Sequence, residues 1–253
     1  MSDIHLLDAS VVSLIAAGEV VERPASVVKE LVENAIDAGS SRIGVEISGG
    51  GLKIIRVIDN GCGMSPENAE KAFLKHATSK ISTKEDLFRI ETMGFRGEAL
   101  AAISAVSKVE LITKPVGQVS GRMLHLEGGT ILSSEEIGCA DGTVFTVRDL
   151  FFNTPARLKF MKSEMTEAGV IQSMVERLAL SHPEISFRFS VNGTERLQTP
   201  GQDNLMDTVW AVFGREFSEM LLPVNYETEV GRVFGYLGKP VYTKPNRNRQ
   251  VFF

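Results

Sequence analysis

One short segment constrains this fold more than any other part of the chain: a strand that ends in an acid, two glycines and a helix start. Residues 52–58 are β-branched and largely apolar, and they lie between a triple glycine and Gly61, as expected for a strand with a turn at each end. Asp59 therefore lies at the end of the strand. Ser65 and Pro66 then have the order of a helix N-cap and first helical residue, so the pattern predicts a strand, a glycine turn and a helix.

The preceding segment, residues 27–37, has the spacing of an amphipathic helix. Its apolar side chains fill one broad face, and Gly39 ends the helix. The opposite arc, of roughly 100°, holds four polar residues: Glu30, Glu33, Asn34 and Asp37. A solvated face would have the same composition. However, an amide oxygen beside carboxylates suits Mg²⁺, and a second carboxylate can take a proton from water, so the arc also predicts a catalytic site.

A third segment has the pattern of a phosphate cover. Gly94 and Gly97 precede an apolar helix predicted over 98–105, and the N–H groups at such a helix start attract anions. Arg96 adds a cation that binds phosphate well, and the polar loop 76–80 adds hydroxyls and a lysine. Together, the helix arc, the acid at the strand end and this cover predict a nucleotide-binding site.

A dinucleotide-binding loop is the main rival interpretation of the glycine turn. Gly61 and Gly63 follow a strand and precede a helix, as in that fingerprint. Pro66 stands where the third glycine should be, and proline cannot replace its close helix–strand packing. A Walker-type phosphate loop is absent from the sequence.

The motifs resemble those of the ATPases that unite DNA gyrase, Hsp90, histidine kinases and MutL. Within that group the chain is most similar to the MutL family of DNA mismatch repair proteins, over essentially its whole length. The hallmarks of that family stand at residues 15–24, 76–80, 94–100 and 150–157. The Gly-Phe-Arg-Gly-Glu-Ala-Leu and Asn-Thr-Pro-Ala-Arg runs in the last two are specific to MutL-like proteins. The wording of residues 17–29 resembles bacterial members.

The resemblance implies a role for each polar residue of the predicted site. Glu30 would activate the water that attacks the γ-phosphate, and Asn34 would hold Mg²⁺. Asp59 would accept a hydrogen bond from the adenine amino group, with support from Thr143. Glu33 competes with Glu30 because the two differ by only about 60° on the helix, and the choice of Glu30 depends on the family pattern.

The other nucleotide contacts implied by the resemblance belong to the glycine turn, the polar loop and the phosphate cover. They are Gly61, Gly63, Thr78, Ser79, Lys80, Gly94, Phe95, Arg96, Gly97, Glu98, Ala99 and Leu100. The implied function is an ATP-hydrolysing, Mg-dependent switch of mismatch repair that closes a lid over ATP and forms a homodimer. DNA, MutS and downstream repair factors are the implied partners. A nucleotide-gated adaptor with negligible turnover, or another gyrase- or Hsp90-like ATPase, remains an alternative.

Composition sets the broad class of the protein. A chain of 253 residues allows one or two domains. Cys62 and Cys139 show no pairing or zinc pattern, which suits a reducing compartment. The sequence contains no signal segment and no apolar run of membrane length, so we expect a cytoplasmic protein without membrane contact.

The charge is unevenly distributed along the chain. A net charge of −5 argues against general nucleic-acid binding. Two groups of basic residues nevertheless stand out, and the family resemblance implies that they contact DNA. One group comprises Arg148, Arg157, Lys159 and Lys162, and the other comprises Arg232, Lys239, Lys244, Arg247 and Arg249.

The order of elements predicts an α+β protein with helices over a mostly antiparallel sheet, a two-layer sandwich that matches the Bergerat-type fold of the family. The predicted helices are 10–17, 27–38, 66–75, 98–105 and 164–181. The predicted strands are 42–47, 52–58, 109–113, 121–126, 143–149 and 186–191, the last forming a hairpin with 195–198.

We expect two domains: an ATPase domain over 1–203 and the start of a ribosomal-S5-like domain over 204–253. Residues 200–204 read as the linker, and 250–253 read as a strand in which the chain stops. On this view the second domain is truncated. The family's γ-phosphate-binding lysine would then be missing, so we expect weak turnover and weak dimerisation.

Overall fold

The computed structural model describes Asp8 and residues 17–81, 83, 86, 92–94, 97–242 and 249–253. Several predicted features lie outside these residues: the helix over 10–17 except Ala17, and Phe95, Arg96, Lys244 and Arg247. For the described helices, none combines the length and the apolar character that crossing a membrane requires.

The centre of the fold is an eight-stranded sheet with the strand order β5-β4-β3-β6-β2-β1-β7-β8. Its strands are β1 Arg42–Ser48, β2 Ile54–Asp59, β3 Lys108–Lys114, β4 Gly121–Glu127, β5 Thr130–Ile137, β6 Gly142–Arg148, β7 Ser186–Val191 and β8 Thr194–Gln198. The β1–β7 pair is parallel and the other pairs are antiparallel. The prediction of a mostly antiparallel sheet is therefore confirmed.

The described helices that accompany the sheet are α1 Pro24–Asp37, α2 Pro66–Lys71, α3 Ala99–Ala105, α4 Pro155–Leu158, α5 Glu164–Ser181, α6 Leu205–Phe213 and α7 Arg215–Ser218. A single core joins α1, α2, α3 and α5 to alternate residues of the strands. Its buried side chains include Val28, Leu31, Val45, Val57, Ile103, Leu111, Leu124, Ile171 and Phe187. Alternation along the strands and the 3.6-residue spacing of α1 both direct these side chains inward, and the predicted two-layer α+β sandwich is confirmed.

The hairpin predicted at Asn192 and Gly193 is present between β7 and β8. Both residues have positive φ, +50° and +77°, as a two-residue hairpin turn requires. The segment predicted as a linker, residues 200–204, packs more closely on the rest of the fold than we expected. Gly201 has φ +68°, and a Cβ there would lie 2.4 Å from the Ser186 nitrogen. The segment is therefore a turn packed on the start of β7.

Three other predictions need correction. β5 was not predicted as a strand, and the helix expected over 66–75 ends at Lys71. Residues 250–253 form neither strand nor helix. Beyond α7, the strands β9 Leu221–Thr228 and β10 Gly231–Gly238 form a separate two-stranded antiparallel sheet.

Candidate active site

A cavity of about 1120 Å³ lies between α1, the end of β2, and the start of α3 with the segments that precede it. It is lined by most of the predicted site: Glu30, Asn34, Asp59, Gly63, Thr78, Ser79, Lys80, Gly94, Gly97, Glu98, Ala99, Leu100 and Thr143. Gly61 is not among the lining residues. Phe95 and Arg96 lie outside the described residues. The structure thus brings together residues from five separate stretches of sequence.

Helix α1 presents its polar arc to this cavity because its other face is buried. Pro24 occupies the first turn, where its missing N–H costs nothing. Arg23 anchors the helix start through a hydrogen-bonded ion pair of 2.9 Å with Glu167 of α5, whose side chain is 1% exposed. Val28 and Leu31 pack into the core. The orientation of the helix is therefore fixed by both packing and charge.

Two carboxylates of α1 reach the cavity. Glu30 is half-buried in its wall. Glu33 is only 6% exposed, and its carboxylate is 2.9 Å from the Lys29 ammonium. Both stay candidates for a general base, and Glu33 is the one that a lysine neutralises.

Asn34 and Asp37, one turn apart on α1, hold a positive charge between them. The Lys80 ammonium donates to Asn34 Oδ1 at 2.9 Å and also to Asp37 Oδ2. The Lys80 and Asp37 side chains are 18% and 9% exposed. The other Asp37 oxygen accepts a hydrogen bond from the Met93 N–H at 3.2 Å. An amide oxygen and a carboxylate oxygen that already hold a cation are suitable ligands for Mg²⁺.

Asp59 lies on the floor of the cavity, at the end of β2. Its carboxylate accepts hydrogen bonds from the Gly61 N–H at 2.8 Å and the Ser40 hydroxyl at 3.2 Å. Thr143 is its cross-strand partner on β6. Burial raises the pKa of Asp59, and hydrogen bonds from Gly61, Ser40 and the Thr143 backbone oppose that effect. The site offers an acceptor in surroundings poor in water, which can select a ligand N–H donor.

The glycines beside Asp59 also have a structural role, and their predicted contact with the nucleotide stays a prediction. We expected them to admit a ligand. A Cβ on Gly61 would lie 2.7 Å from the Ala38 Cβ, and one on Gly63, whose φ is +68°, would lie 2.1 Å from the Lys114 carbonyl oxygen. These glycines let neighbouring chain segments approach, and they shape the floor of the cavity indirectly.

Gly97 has a comparable structural role in the phosphate cover. Its φ is +63°, and a Cβ there would lie 2.6 Å from the Ala77 carbonyl oxygen. Its own carbonyl accepts the His76 N–H at 3.0 Å. This hydrogen bond joins the polar loop 76–80 to the segment just before α3. The two predicted phosphate-binding segments therefore form one wall of the cavity.

The cavity also contains residues that were not assigned to the site from the sequence. They are chiefly Glu19, Lys29, Asp37, Met64, Asn68, Lys71 and Phe145. Lys29 and Asp37 could have been found, because an i,i+4 pair with Glu33 and a place on the polar arc are visible in a helical projection. Met64 and Phe145 give the cavity apolar surface, and no pattern distinguishes them from core residues.

Comparisons with known proteins agree with this geometry. Residues 22–140 match the family described as histidine kinase-, DNA gyrase B- and HSP90-like ATPases. The DNA mismatch repair protein MutL of Agathobacter rectalis is 53% identical over 253 residues, 100% of this chain and 39% of that protein. MutL of Symbiobacterium thermophilum is also 53% identical, over 100% of this chain and 40% of that protein.

Solved structures extend the match to three dimensions. The Aquifex aeolicus MutL ATPase domain complexed with ADP is 34% identical with a TM-score of 0.68, covering 82% of this chain and 73% of that chain. The chain belongs to the MutL family. A structure described as the N-terminal domain of a DNA repair protein has a TM-score of 0.81 at 27% identity, covering 97% of this chain and 78% of that one.

The matched region corresponds to the MutL ATPase domain. The chain spans about two fifths of the length of the MutL relatives that it matches. The relatives named here are bacterial, in agreement with the sequence prediction.

Proposed function

We propose that this chain binds and hydrolyses ATP as a nucleotide-controlled switch of DNA mismatch repair. The observation that carries the proposal is the placement of Glu30 and Asn34 on one wall of a cavity whose floor holds Asp59. A base, a metal-binding oxygen and a selective acceptor in a single cavity satisfy the requirements for phosphoryl transfer to water.

Each residue has a distinct chemical task. Glu30 removes the proton from the attacking water, so its carboxylate must be ionised and within reach of that water. Asn34 and Asp37 would hold Mg²⁺, which neutralises the charge of the phosphates. Asp59 accepts the adenine amino group, and the Thr143 backbone keeps that carboxylate in place. Glu33 takes the role of Glu30 if the experiment below reverses the assignment.

Phosphate contacts are assigned to the wall formed by the polar loop and the start of α3. Thr78, Ser79 and Lys80 supply hydroxyls and a cation, while Gly97 and the first residues of α3 also line the cavity. We expect ATP to slow amide hydrogen exchange in both segments, because the triphosphate supplies partners that bind them together. Unchanged exchange with ATP would argue against lid closure.

The decisive experiment measures ATP binding and Mg-dependent single-turnover hydrolysis on the same samples. Binding with hydrolysis that depends on Glu30 supports the proposed ATPase. Binding without hydrolysis supports the nucleotide-gated adaptor, and equal binding of GTP would place the protein outside adenine-selective ATPases. The size of the steady-state turnover is part of the proposal, and we expect it to be low.

Homodimerisation on ATP binding, DNA binding, contacts with MutS and downstream repair factors, and a cytoplasmic location complete the proposal. Among the basic residues assigned to DNA, Arg148, Lys159 and Lys162 are exposed. Arg157 instead points inward to the Val21 carbonyl, and Arg249 stacks on the Phe217 ring. Sedimentation with an ATP analogue tests the dimer. Salt-dependent DNA binding with a steep slope tests the basic surface.

A further inference from the structure

Lys80 is held in an unusual way for a lysine in a polar loop. Its ammonium reaches back 46 residues to Asn34 and 43 residues to Asp37, and its side chain is largely covered. A free lysine keeps considerable rotamer entropy, which is lost when the side chain is fixed. Two oxygen acceptors of different chemistry converge on this one cation, which makes the pair a formed cation site.

Asp37 connects the same site to the far side of the loop. One of its oxygens contacts Lys80 and the other accepts the Met93 N–H at 3.2 Å. A single carboxylate of α1 therefore holds residues on both sides of the stretch between 80 and 93. Asp37 is nearly buried, and a buried carboxylate that loses its cationic partner is costly, so a cation beside Asp37 stabilises the site.

We propose that Asn34 and Asp37 together form the cation site of the active centre, and that Lys80 occupies it in the nucleotide-free protein. The inference rests on the proposed function, because that function brings Mg²⁺ into the site together with ATP. The Lys80 ammonium and a divalent ion cannot share this position, because like charges at such short range repel strongly. Lys80 therefore leaves when the metal is bound, and its charge becomes available to the phosphates.

This exchange makes metal loading and loop release a single event. While Lys80 is in place, the Asn34 oxygen is occupied and Asp37 is neutralised. Once a divalent cation neutralises Asp37, the loop residue is free to move. Asp37 thereby gains a role as a metal-site residue, which its place on the polar arc of α1 permits but does not reveal.

The test uses Mn²⁺ alone, without nucleotide, and measures its binding by electron paramagnetic resonance. Lys80→Met is expected to bind Mn²⁺ about tenfold more tightly than the wild type, because no internal cation competes. Lys71→Met is the matched control: Lys71 lines the same cavity, and in the described part of the chain it makes no hydrogen bond or ion pair with Asn34 or Asp37. Its Mn²⁺ affinity should change by no more than about twofold. Equal tightening in both variants would overturn the proposal and leave only a general charge effect.

Two further variants separate occupancy from structural damage. Lys80→Gln keeps hydrogen-bond donors but loses the charge, so it should also bind Mn²⁺ more tightly than the wild type. It replaces Lys80→Met in the test if that variant folds poorly. Adding Asp37→Asn to Lys80→Met should remove the gain, and persistence of the gain would exclude Asp37 from the site. Amide exchange near residues 80 and 93 should increase in Lys80→Met without ligand. If the Lys80 variants do not bind Mn²⁺ more tightly, the cation-site proposal fails, but ATP binding and hydrolysis by the wild type are unaffected. If the proposed function is wrong, the wild type does not bind ATP.

Discussion

Glu30 and Glu33 differ in what their surroundings leave them able to do. Glu33 is buried and paired with Lys29, so its carboxylate would have to leave an ammonium to accept a proton. Glu30 is half-buried in the cavity wall. The family pattern selects Glu30 as the base, so we expect Glu30→Gln to retain ATP binding while hydrolysis falls by about 10²–10⁴, the usual contribution of a general base. Single-turnover assays beside nucleotide binding measure this. Normal hydrolysis by Glu30→Gln together with inactive Glu33→Gln would reverse the assignment.

The proposed function gives Asn34 and Asp59 different parts of the ligand, so substitutions at the two residues should have different effects. Asn34→Ala is expected to weaken binding of Mg-ATP much more than binding of metal-free ATP, by about tenfold for a lost metal contact. Asp59→Asn is expected to bring ATP and GTP affinities closer together, because the acceptor for the adenine amino group changes. Binding titrations with and without Mg²⁺ measure both. Equal losses across metal and base in the two variants would contradict this division.

Asp59 also makes stability depend on pH. Burial raises the pKa of its carboxyl above the ordinary value of 3.8, so folding favours the protonated form. The associated stability is complete below pH 3.8 and is lost as the pH rises through the raised pKa. Asp59→Asn carries no charge, so at neutral pH its free energy of unfolding should exceed that of the wild type. Urea denaturation from pH 7 downward should show this difference shrinking. A constant difference would mean that burial of the charge is not its cause.

At the scale of elements, the Asn-Thr-Pro-Ala-Arg motif links α4 to the segment that enters α1. The Arg157 guanidinium donates to the Val21 carbonyl and lies over the Phe151 ring. Asn153 donates to the Ala105 carbonyl at 2.8 Å, at the end of α3. The motif thus contacts the segment before α1 and the end of α3, although none of its residues lines the cavity.

Gly18 tests this link because Arg157 occupies the space beside it. A Cβ on Gly18 would lie 2.0 Å from Arg157 Nη2. Gly18→Ala should therefore lower the free energy of unfolding by about 1–3 kcal/mol, as overpacking does. In an Arg157→Ala background the same change should cost little, because alanine is a better helix former than glycine. A double-mutant cycle in urea measures the coupling. Additive effects would show that the two residues do not contact in solution.

The sequence predicts elements well where a buried face imposes a period. α5 and β7 have the predicted bounds, because both combine turn signals with core residues. β5 was missed for a physical reason. It is one of the two edge strands of the eight-stranded sheet, and most of its side chains are exposed, so no alternation between apolar and polar residues marks it.

The residues of the candidate active site also divide into those that local spacing predicts and those that depend on tertiary contacts. The polar arc of α1 and the acid at the end of β2 follow from local spacing, so Glu30, Asn34 and Asp59 could be selected from the sequence. The contact of Lys80 with Asp37 depends on the tertiary approach of a loop, and no period encodes it. The close approach of Gly63 to the Lys114 carbonyl could not be predicted either, because Lys114 lies on a strand far along the chain.

For the whole molecule, the two sheets differ in how well they are covered. The eight-stranded sheet has a continuous buried core. The β9–β10 hairpin leaves Tyr226, Val233, Phe234 and Leu237 largely exposed. This contrast agrees with a change of unit near residue 204, and the boundary between an ATPase domain and an S5-like domain stays a prediction.

Ligand binding should act on the stability of the whole ATPase fold, because the cavity joins α1, β2, α3 and β6. ATP with Mg²⁺ at about 100 times Kd should add about 2.7 kcal/mol to the free energy of unfolding. For a chain of this size that raises Tm by about 5–10 °C. If Asp59 selects adenine as proposed, GTP should give a much smaller rise. Asp59→Asn should lose most of the ATP-dependent rise in Tm, even though its Tm without ligand is higher than that of the wild type. Glu30→Gln should keep the rise, because the general base contributes to chemistry rather than to binding. Thermal denaturation of the three proteins with each nucleotide measures these shifts. Equal shifts with ATP and GTP in the wild type would remove Asp59 from base recognition, and an absent shift with Mg-ATP would remove nucleotide binding from the cavity.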